Sequence, residues 1–107
     1  MNLDAAYAAL ADPTRRAILA RLAQGEATVG EIAEPFPISG PAISRHLKVL
    51  EEAQLIARTR RGQQFVISLN PAGLKNAQEW LDNTHAFWTG AFDRLEAHIR
   101  KTPEKKK

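Results

Sequence analysis

The most constraining feature of this sequence is the change in its apolar period after Glu52. Before that residue the apolar side chains recur at the spacing of helices. Two short alternating segments follow, residues 55–60 and 65–69, and Arg61-Gly62-Gln63 between them supplies the glycine of a tight hairpin. The helical period then returns and continues to about Arg100. A chain with this pattern must fold as helices around one small β-hairpin.

Start and stop signals divide the part before the hairpin into four helices. They are predicted over residues 3–11, 13–24, 29–34 and 40–52. Asp12-Pro13 is a typical helix start, and Thr28 with Glu31 has the spacing of a capping box. With the last helix, which we expect to be interrupted near Asn83-Thr84, the order is α-α-α-α-β-β-α. The predicted fold is therefore mainly α with a small β-hairpin, in the order of a winged helix-turn-helix.

The composition excludes several classes of protein. At 107 residues the chain has the length of one domain, which we place at residues 1–100, followed by a flexible basic tail at 101–107. The absence of cysteine excludes a disulfide scaffold and a thiolate metal centre. Because there is neither a signal-peptide pattern nor an apolar run of the roughly 20 residues that span a membrane, we expect a cytoplasmic protein without membrane contact. No nucleophile motif or glycine-rich phosphate loop is present, so we expect neither an enzyme nor a cofactor.

The positive charge is concentrated in one internal segment and in the tail. Residues 1–100 contain 11 basic and 11 acidic side chains, so the net charge of +3 comes from the tail. Between Ser39 and Gly62, however, five basic side chains stand against only two acidic ones. A basic segment within a neutral domain indicates one surface for a polyanion such as double-stranded DNA.

The fourth predicted helix has two faces of opposite character. Ile43, Leu47 and Leu50 form an apolar stripe. A second face offers hydroxyl, guanidinium and ammonium groups that bond to base edges or phosphates, and the amides of Gly40 and Ala42 at the helix start can hold a phosphate. The predicted DNA-contacting residues of this helix and the hairpin are Ser39, Gly40, Pro41, Ser44, Arg45, His46, Lys48, Arg58, Arg60 and Arg61.

Each basic element has an ordinary explanation when it is taken alone. A polar helix face is often merely solvated, and charges on a hairpin commonly protect a sheet edge. The arginines beside Gly62 nevertheless form a second basic element next to the helix-turn-helix pattern, and an arginine-rich tip can enter a minor groove or lie along phosphates. The two elements together favour DNA binding.

Three segments of the sequence resemble the ArsR-type winged-helix transcriptional regulators. They are LADPTRRAIL at residues 10–19, SGPAISRHLKVLEEAQLI at 39–56 and RTRRGQQFVISL at 58–69. The likeness covers about residues 3–70, and it implies a dimeric DNA-binding regulator, usually a repressor. Gln54 departs from the resemblance, since many relatives have glycine at this helix end, and we expect a small effect on the turn.

The resemblance also bears on what such a regulator senses. Metal-sensing relatives carry a cysteine pair in the short third helix, and this chain has no cysteine. Other relatives bind zinc on the last helix, but the candidate ligands here depart from that pattern in spacing and order. These candidates are Asp82, His85, Asp93, Glu96 and His98. We therefore expect no metal site, and an unknown small-molecule effector remains an open partner.

The last predicted helix carries more large apolar side chains than one small domain can cover. Together with two residues of the first helix, they predict the interface of a homodimer that binds a near-palindromic operator. The predicted interface residues are Leu3, Tyr7, Trp80, Phe87, Trp88, Phe92, Leu95 and Ile99. One alternative is packing of the whole stripe within the chain. Another is a protein-interaction module, whose last helix docks a different protein and whose DNA binding is weak and non-specific.

Overall fold

The computed structural model describes residues 2–101, apart from the side chains of Ala86, Trp88, Arg100 and Lys101. Its elements, in chain order, are α1 (Leu3–Leu10), α2 (Pro13–Leu22), β1 (Ala27–Thr28), α3 (Val29–Ala33), α4 (Gly40–Glu52), β2 (Ile56–Arg61), β3 (Gln64–Leu69) and α5 (Pro71–Lys101). The prediction of a mainly helical winged helix-turn-helix with a small β-hairpin is confirmed. Residues 102–107 of the predicted basic tail lie outside the described residues.

Two features of the secondary structure differ from the prediction. The short strand β1 precedes α3 and pairs antiparallel with β3, so the sheet has three strands in the order β1-β3-β2. Its two residues are too few to show an alternating pattern in the sequence. The last helix is continuous from Pro71 to Lys101, so the interruption expected near Asn83-Thr84 is wrong.

Side-chain caps begin the helices at the residues that the sequence indicated. Asp12 accepts a hydrogen bond from the Arg15 amide at 3.0 Å. Thr28 and Glu31 form a complete capping box, in which each side chain accepts a hydrogen bond from the amide of the other residue. The bonds from the Arg15 and Thr28 amides hold the pKa of the Asp12 and Glu31 carboxyls, respectively, below their usual values. Each cap satisfies amides that the helix itself leaves unpaired.

Contacts among the described residues divide the chain into two compact units, one up to Ala77 and one from Gln78 onward. The first unit has one core of aliphatic side chains, which come from α1 to α4 and from the sheet. Its largest fully buried members are Ile18, Ile32, Ile43, Leu47, Leu50, Leu55 and Ile67. The second unit begins at Gln78 within α5. The single domain over residues 1–100 stays a prediction.

The end of α4 is closed by a turn that places Gln54 in the left-handed region, with a φ of 63°. The Leu55 amide donates to the Leu50 carbonyl at 3.0 Å and the Gln54 amide to the Glu51 carbonyl at 2.9 Å, which is the Schellman pattern. Glycine is usual at this position, because any other residue in the left-handed region costs about 1–2 kcal/mol. The turn thus keeps the usual hydrogen bonds although Gln54 stands in the left-handed region, and the small effect expected for this residue stays a prediction.

The start of α5 lies directly against this turn. The side-chain amide of Asn70 donates to the Gln54 carbonyl at 2.9 Å. A Cβ atom added at Gly73 would lie 1.8 Å from the same carbonyl oxygen, a distance at which backbone must shift. The absence of a side chain at Gly73 thus allows α5 to begin in contact with the end of α4.

Candidate nucleic-acid interface

The helix α4 separates its apolar and polar residues onto two faces, as the sequence predicted. Ile43, Leu47 and Leu50 are at most 1% exposed, and the helix packs against α1, α2, α3 and β2. The exposed residues of the other face are Pro41, Ser44, Arg45 and Lys48. Because the buried stripe packs against four other elements, α4 is held rigidly, and so is the position of its polar face.

Arg45 and Lys48 are the basic side chains of the exposed face. Within the part of the chain that the structure describes, neither makes an ion pair or a side-chain hydrogen bond. Their guanidinium and ammonium groups are therefore available to a ligand. The hydroxyl of Ser44, one residue earlier, adds a group that both donates and accepts hydrogen bonds.

The start of α4 offers fewer free amides than the sequence suggested. The Ser39 hydroxyl accepts a hydrogen bond from the Ala42 amide at 3.2 Å, so that amide is not free to hold a phosphate. Pro41 has no amide hydrogen, and the Ile43 amide donates to the Ser39 carbonyl at 3.1 Å. Of the groups predicted to bind a phosphate here, the Gly40 amide and the Ser39 hydroxyl hydrogen remain.

His46 differs from the other predicted DNA-contacting residues of α4, because its side chain is only 21% exposed. Its Nδ1 lies 3.3 Å from a terminal guanidinium nitrogen of Arg15 and 3.8 Å from a carboxylate oxygen of Asp12. The arginine nitrogen can only donate, so the contact requires an unprotonated Nδ1. Nδ1 is thus engaged within the protein. The phosphate contact of His46 stays a prediction, and Nε2 is the nitrogen that could make it.

Sequence reasoning missed the cluster that His46 joins. Arg15 donates from Nε to the Ala9 carbonyl at 2.7 Å and from Nη2 to the Ala8 carbonyl at 3.1 Å. Arg16 donates to the Leu10 carbonyl at 2.8 Å. The pKa of the Asp12 carboxyl is held below its usual value first by the Arg15 amide and then by the charge of Arg15. The cluster ties the end of α1 and the start of α2 to α4.

The hairpin of β2 and β3, which we call the wing, begins its turn at Gly62. The φ of Gly62 is 61°, which glycine adopts without a steric cost, and Arg61 pairs with Gln64 across the turn. The predicted DNA-contacting arginines of the wing are exposed. The structure therefore places all three on the surface, as expected for a basic element.

These three arginines nevertheless differ in their surroundings. Arg61 forms a two-point ion pair with the carboxylate of Glu26. The Nε of Arg58 lies 3.5 Å from a carboxylate oxygen of Glu51, the last-turn acid of α4. Arg60 donates from Nε to the Gly62 carbonyl at 3.0 Å. Part of the positive charge counted in the sequence is thus compensated by the protein itself.

The predicted dimer residues fall into two groups. Leu3 and Tyr7 of α1 are half-buried, and the Tyr7 hydroxyl donates to the Ala77 carbonyl at 2.6 Å. The members on α5 whose side chains are described are between 46% and 62% exposed. They are Trp80, Phe87, Phe92, Leu95 and Ile99. The side chain of Trp88 lies outside the described residues. The dimer interface, and its alternative of packing within the chain, both stay predictions.

Among the described residues, neither a cluster of metal ligands nor a membrane-spanning helix is present. No group of three or more histidine or acidic side chains among them is arranged to hold a metal ion. His85, one of the candidate ligands, instead lies with Nε2 at 3.4 Å from the hydroxyl of Thr89. No helix within residues 2–101 has the length and apolarity to cross a membrane.

Known proteins with similar sequences are transcription regulators. Residues 10–59 match a family described as a helix-turn-helix domain. The HTH-type transcriptional regulator Rv2034 of Mycobacterium tuberculosis is 49% identical over 88 residues, which cover 82% of this chain and 79% of that protein. The transcriptional repressor SdpR of Bacillus subtilis is 46% identical over 77 residues, which cover 72% of this chain and 86% of the repressor. These likenesses confirm the prediction of a regulator rather than an enzyme.

Solved structures agree with this assignment. The crystal structure of an ArsR family transcriptional regulator, RHA00566, superposes with a TM-score of 0.75 at 34% identity, covering 81% of this chain and 96% of that chain. An ArsR-like transcriptional regulator from Rhodococcus sp. RHA1 gives a TM-score of 0.79 at 25% identity, covering 94% of this chain and 93% of that chain. The chain therefore belongs to the ArsR family of winged helix-turn-helix transcriptional regulators, and it acts by binding DNA.

Proposed function

We propose that the chain is a homodimeric repressor that reads a near-palindromic operator with α4 and holds the adjacent DNA backbone with the wing. The observation that carries the proposal is the exposed face of α4, where Arg45 and Lys48 are free of partners within the described residues. The relative from Bacillus subtilis, named as a transcriptional repressor, supports repression as the direction of regulation.

In this proposal the side chains at the start and middle of α4 read the bases. Arg45 donates two hydrogen bonds to O6 and N7 of a guanine in the major groove, which is the commonest specific contact of arginine. Ser44 bonds to a neighbouring base edge, and Pro41 contacts a thymine methyl group. The charge of Lys48 acts on phosphate, and the Gly40 amide with the Ser39 hydroxyl holds a phosphate at the helix start.

The wing supplies contacts that do not depend on sequence. Arg60 keeps its terminal guanidinium nitrogens for a phosphate, because its hydrogen bond to Gly62 uses only Nε. Arg61 binds phosphate only in competition with Glu26, which takes both of its terminal nitrogens. Glu51 approaches only Nε of Arg58, so it offsets part of the charge of Arg58 without taking its terminal nitrogens. We therefore expect Arg60 to make the strongest contact of the wing with the DNA backbone.

The homodimer is proposed from the exposed apolar side chains of α5. Contiguous exposed apolar surface on a small protein marks an interaction site, and Phe92, Leu95 and Ile99 lie at helical spacing along α5. Leu3, Tyr7 and Trp88 remain predicted members of the same interface. A two-fold dimer duplicates α4, so the two copies read half-sites about 34 Å apart along the DNA axis.

The test combines molar mass with sequence-dependent binding. Size-exclusion chromatography with light scattering should give about twice the chain mass of 11.9 kDa. Fluorescence anisotropy at moderate salt should show tighter binding to the protein's own promoter than to a shuffled sequence. Arg45→Ala should weaken promoter binding by about 1–3 kcal/mol and shuffled-DNA binding much less. Lys75→Ala, the loss of an exposed cation on α5, is the matched control and should leave both affinities near wild type.

The same exposed face of α5 is the observation that favours a second candidate function. In that case the chain is a protein-interaction module, whose α5 docks a different protein. It predicts a monomer of 11.9 kDa that binds promoter and shuffled DNA equally weakly. Equal losses of Arg45→Ala on both DNAs would instead assign Arg45 to the phosphates and refute base reading by this residue.

A further inference from the structure

Phe65 is an aromatic side chain of the wing that the core does not use. It is 39% exposed, and it is absent from both the buried core and the partly buried side chains that pack against the core. The next two residues of β3, Val66 and Ile67, are buried. The phenyl ring therefore needs an explanation other than packing of the hydrophobic core.

The ring of Phe65 is flanked by two guanidinium groups. The Cζ atom of Arg58 lies 5.1 Å from the ring centroid, and the Cζ atom of Arg60 lies 5.9 Å from it. Both distances are within the range at which the negative face of an aromatic ring attracts a cation. One ring thus contacts two of the three arginines of the wing.

The register of the hairpin explains this arrangement. Phe65 is the cross-strand partner of Arg60, so both side chains stand on the same face of the sheet. Arg58 is two residues from Arg60 on β2 and shares that face. Arg61 points to the opposite face, where it pairs with Glu26. The two arginines at the ring therefore form a set that is separate from Arg61.

Each of these two arginines makes a second contact, and within the described residues that contact uses Nε and neither terminal nitrogen. Arg60 donates from Nε to the Gly62 carbonyl at 3.0 Å. Arg58 directs Nε towards Glu51 at 3.5 Å. A guanidinium has five N–H donors, so each arginine keeps its Nη groups for a doubly accepting phosphate.

We propose that Phe65 is a positioning residue for DNA binding, which orders Arg58 and Arg60 as a preformed pair of phosphate ligands. This inference rests on the proposed function, in which the wing holds the DNA backbone. Binding of a phosphate by a free arginine costs the rotamer freedom of a long side chain. The ring restricts that freedom before DNA arrives, so the cost of ordering the side chains at the interface is smaller.

The test replaces the ring while keeping an apolar side chain. Phe65→Leu in the full chain should weaken binding about 3- to 10-fold, on promoter and shuffled DNA alike. The slope of log affinity against log salt should stay near wild type, because the number of phosphate contacts is unchanged, whereas Arg60→Ala should reduce that slope by about one unit. Phe65→Tyr keeps the ring and should restore wild-type affinity. Thermal unfolding of each variant checks that the fold is intact.

A double-mutant cycle separates positioning from a direct contact of the ring. In the Arg58→Ala/Arg60→Ala background, Phe65→Leu should have no further effect on affinity. An undiminished effect in that background, or wild-type affinity of Phe65→Leu alone, overturns the inference. If Arg58→Ala/Arg60→Ala itself binds DNA as tightly as wild type, the wing contact of the proposed function fails first and the inference fails with it. The two failures are therefore distinguishable.

Discussion

The exposed face of α4 and the wing carry similar basic side chains and hold them in different ways. Arg45 and Lys48 on α4 have no partner within the described residues. Each of the three arginines of the wing contacts another group of the protein, either an acid, a carbonyl or the ring of Phe65. Free side chains can adjust to the edges of different bases. Side chains that are already held lose less conformational entropy when they bind the phosphates of the DNA backbone. A count of basic residues therefore overestimates the charge that the wing offers to DNA.

The largest expected effect comes from truncating a buried side chain of α4, which holds the helix and its exposed face in place. Leu47→Ala should lower the free energy of unfolding by about 2–5 kcal/mol, because it leaves a cavity in the core. Urea denaturation followed by circular dichroism measures this change. Lys48→Ala, the exposed neighbour, should change stability by less than about 0.5 kcal/mol while it weakens DNA binding. Similar destabilisation by both variants would contradict the division of α4 into a structural and a binding face.

The next effect concerns the turn that joins α4 to the wing. Gln54→Gly should raise the free energy of unfolding by about 1 kcal/mol, because it relieves a left-handed backbone that favours glycine. DNA affinity should not change, since the turn keeps its geometry. Glu52→Gly is the matched control within the helix and should lower stability by about 1 kcal/mol. Destabilisation by Gln54→Gly would show that the glutamine side chain contributes more than the backbone strain costs.

A smaller effect sharpens the difference between free and paired arginines. Glu26→Gln should release Arg61 and tighten binding to all DNA sequences by about two- to five-fold. The salt dependence should become steeper by about one unit, because one more phosphate contact forms. Glu34→Gln is the control, because it makes the same change of charge at an exposed residue directly after α3. It should change DNA affinity less. If Glu26→Gln acts equally in an Arg61→Ala background, release of Arg61 is not the cause.

The smallest expected effect is a pH dependence of the folding stability, which comes from Asp12 at the start of α2. The pKa of Asp12 is lowered in the folded state, so its stabilising contribution is present above its ordinary value of 3.8 and is lost as the pH falls through the folded pKa. Urea denaturation at about pH 7 and about pH 3 should therefore show a smaller drop in stability for Asp12→Asn than for wild type. An equal drop in both would mean that Asp12 does not take part in the acid sensitivity.

Local signals predicted most of the fold. The caps at Asp12, Thr28 and Ser39 and the glycine of the hairpin each act within a few residues, so the sequence contains their whole cause. The buried stripe of α4 was predictable for the same reason, because its period depends on the helix alone. The strand β1 was not, since two residues become a strand only through their partner β3.

The details of the interface depended on contacts between distant parts of the chain. His46 meets Arg15 across 31 positions, and Arg61 meets Glu26 across 35. Pattern reasoning treated both basic residues as free because it follows one element at a time. The loss of the Ala42 amide was predictable, in contrast, because a serine cap takes that amide wherever the helix starts at Gly40.

The arginines at the start of α2 have a consequence for folding. An isolated helix shorter than about 12–15 residues is marginal in water, and α1 has only 8 residues. The last carbonyls of α1 are satisfied by Arg15 and Arg16, and Arg15 in turn contacts His46 of α4. The first helix therefore depends for its stability on contacts with α2 and on the link through Arg15 to α4. We expect the amides of α1 to lose their protection from hydrogen exchange together with those of these two neighbours.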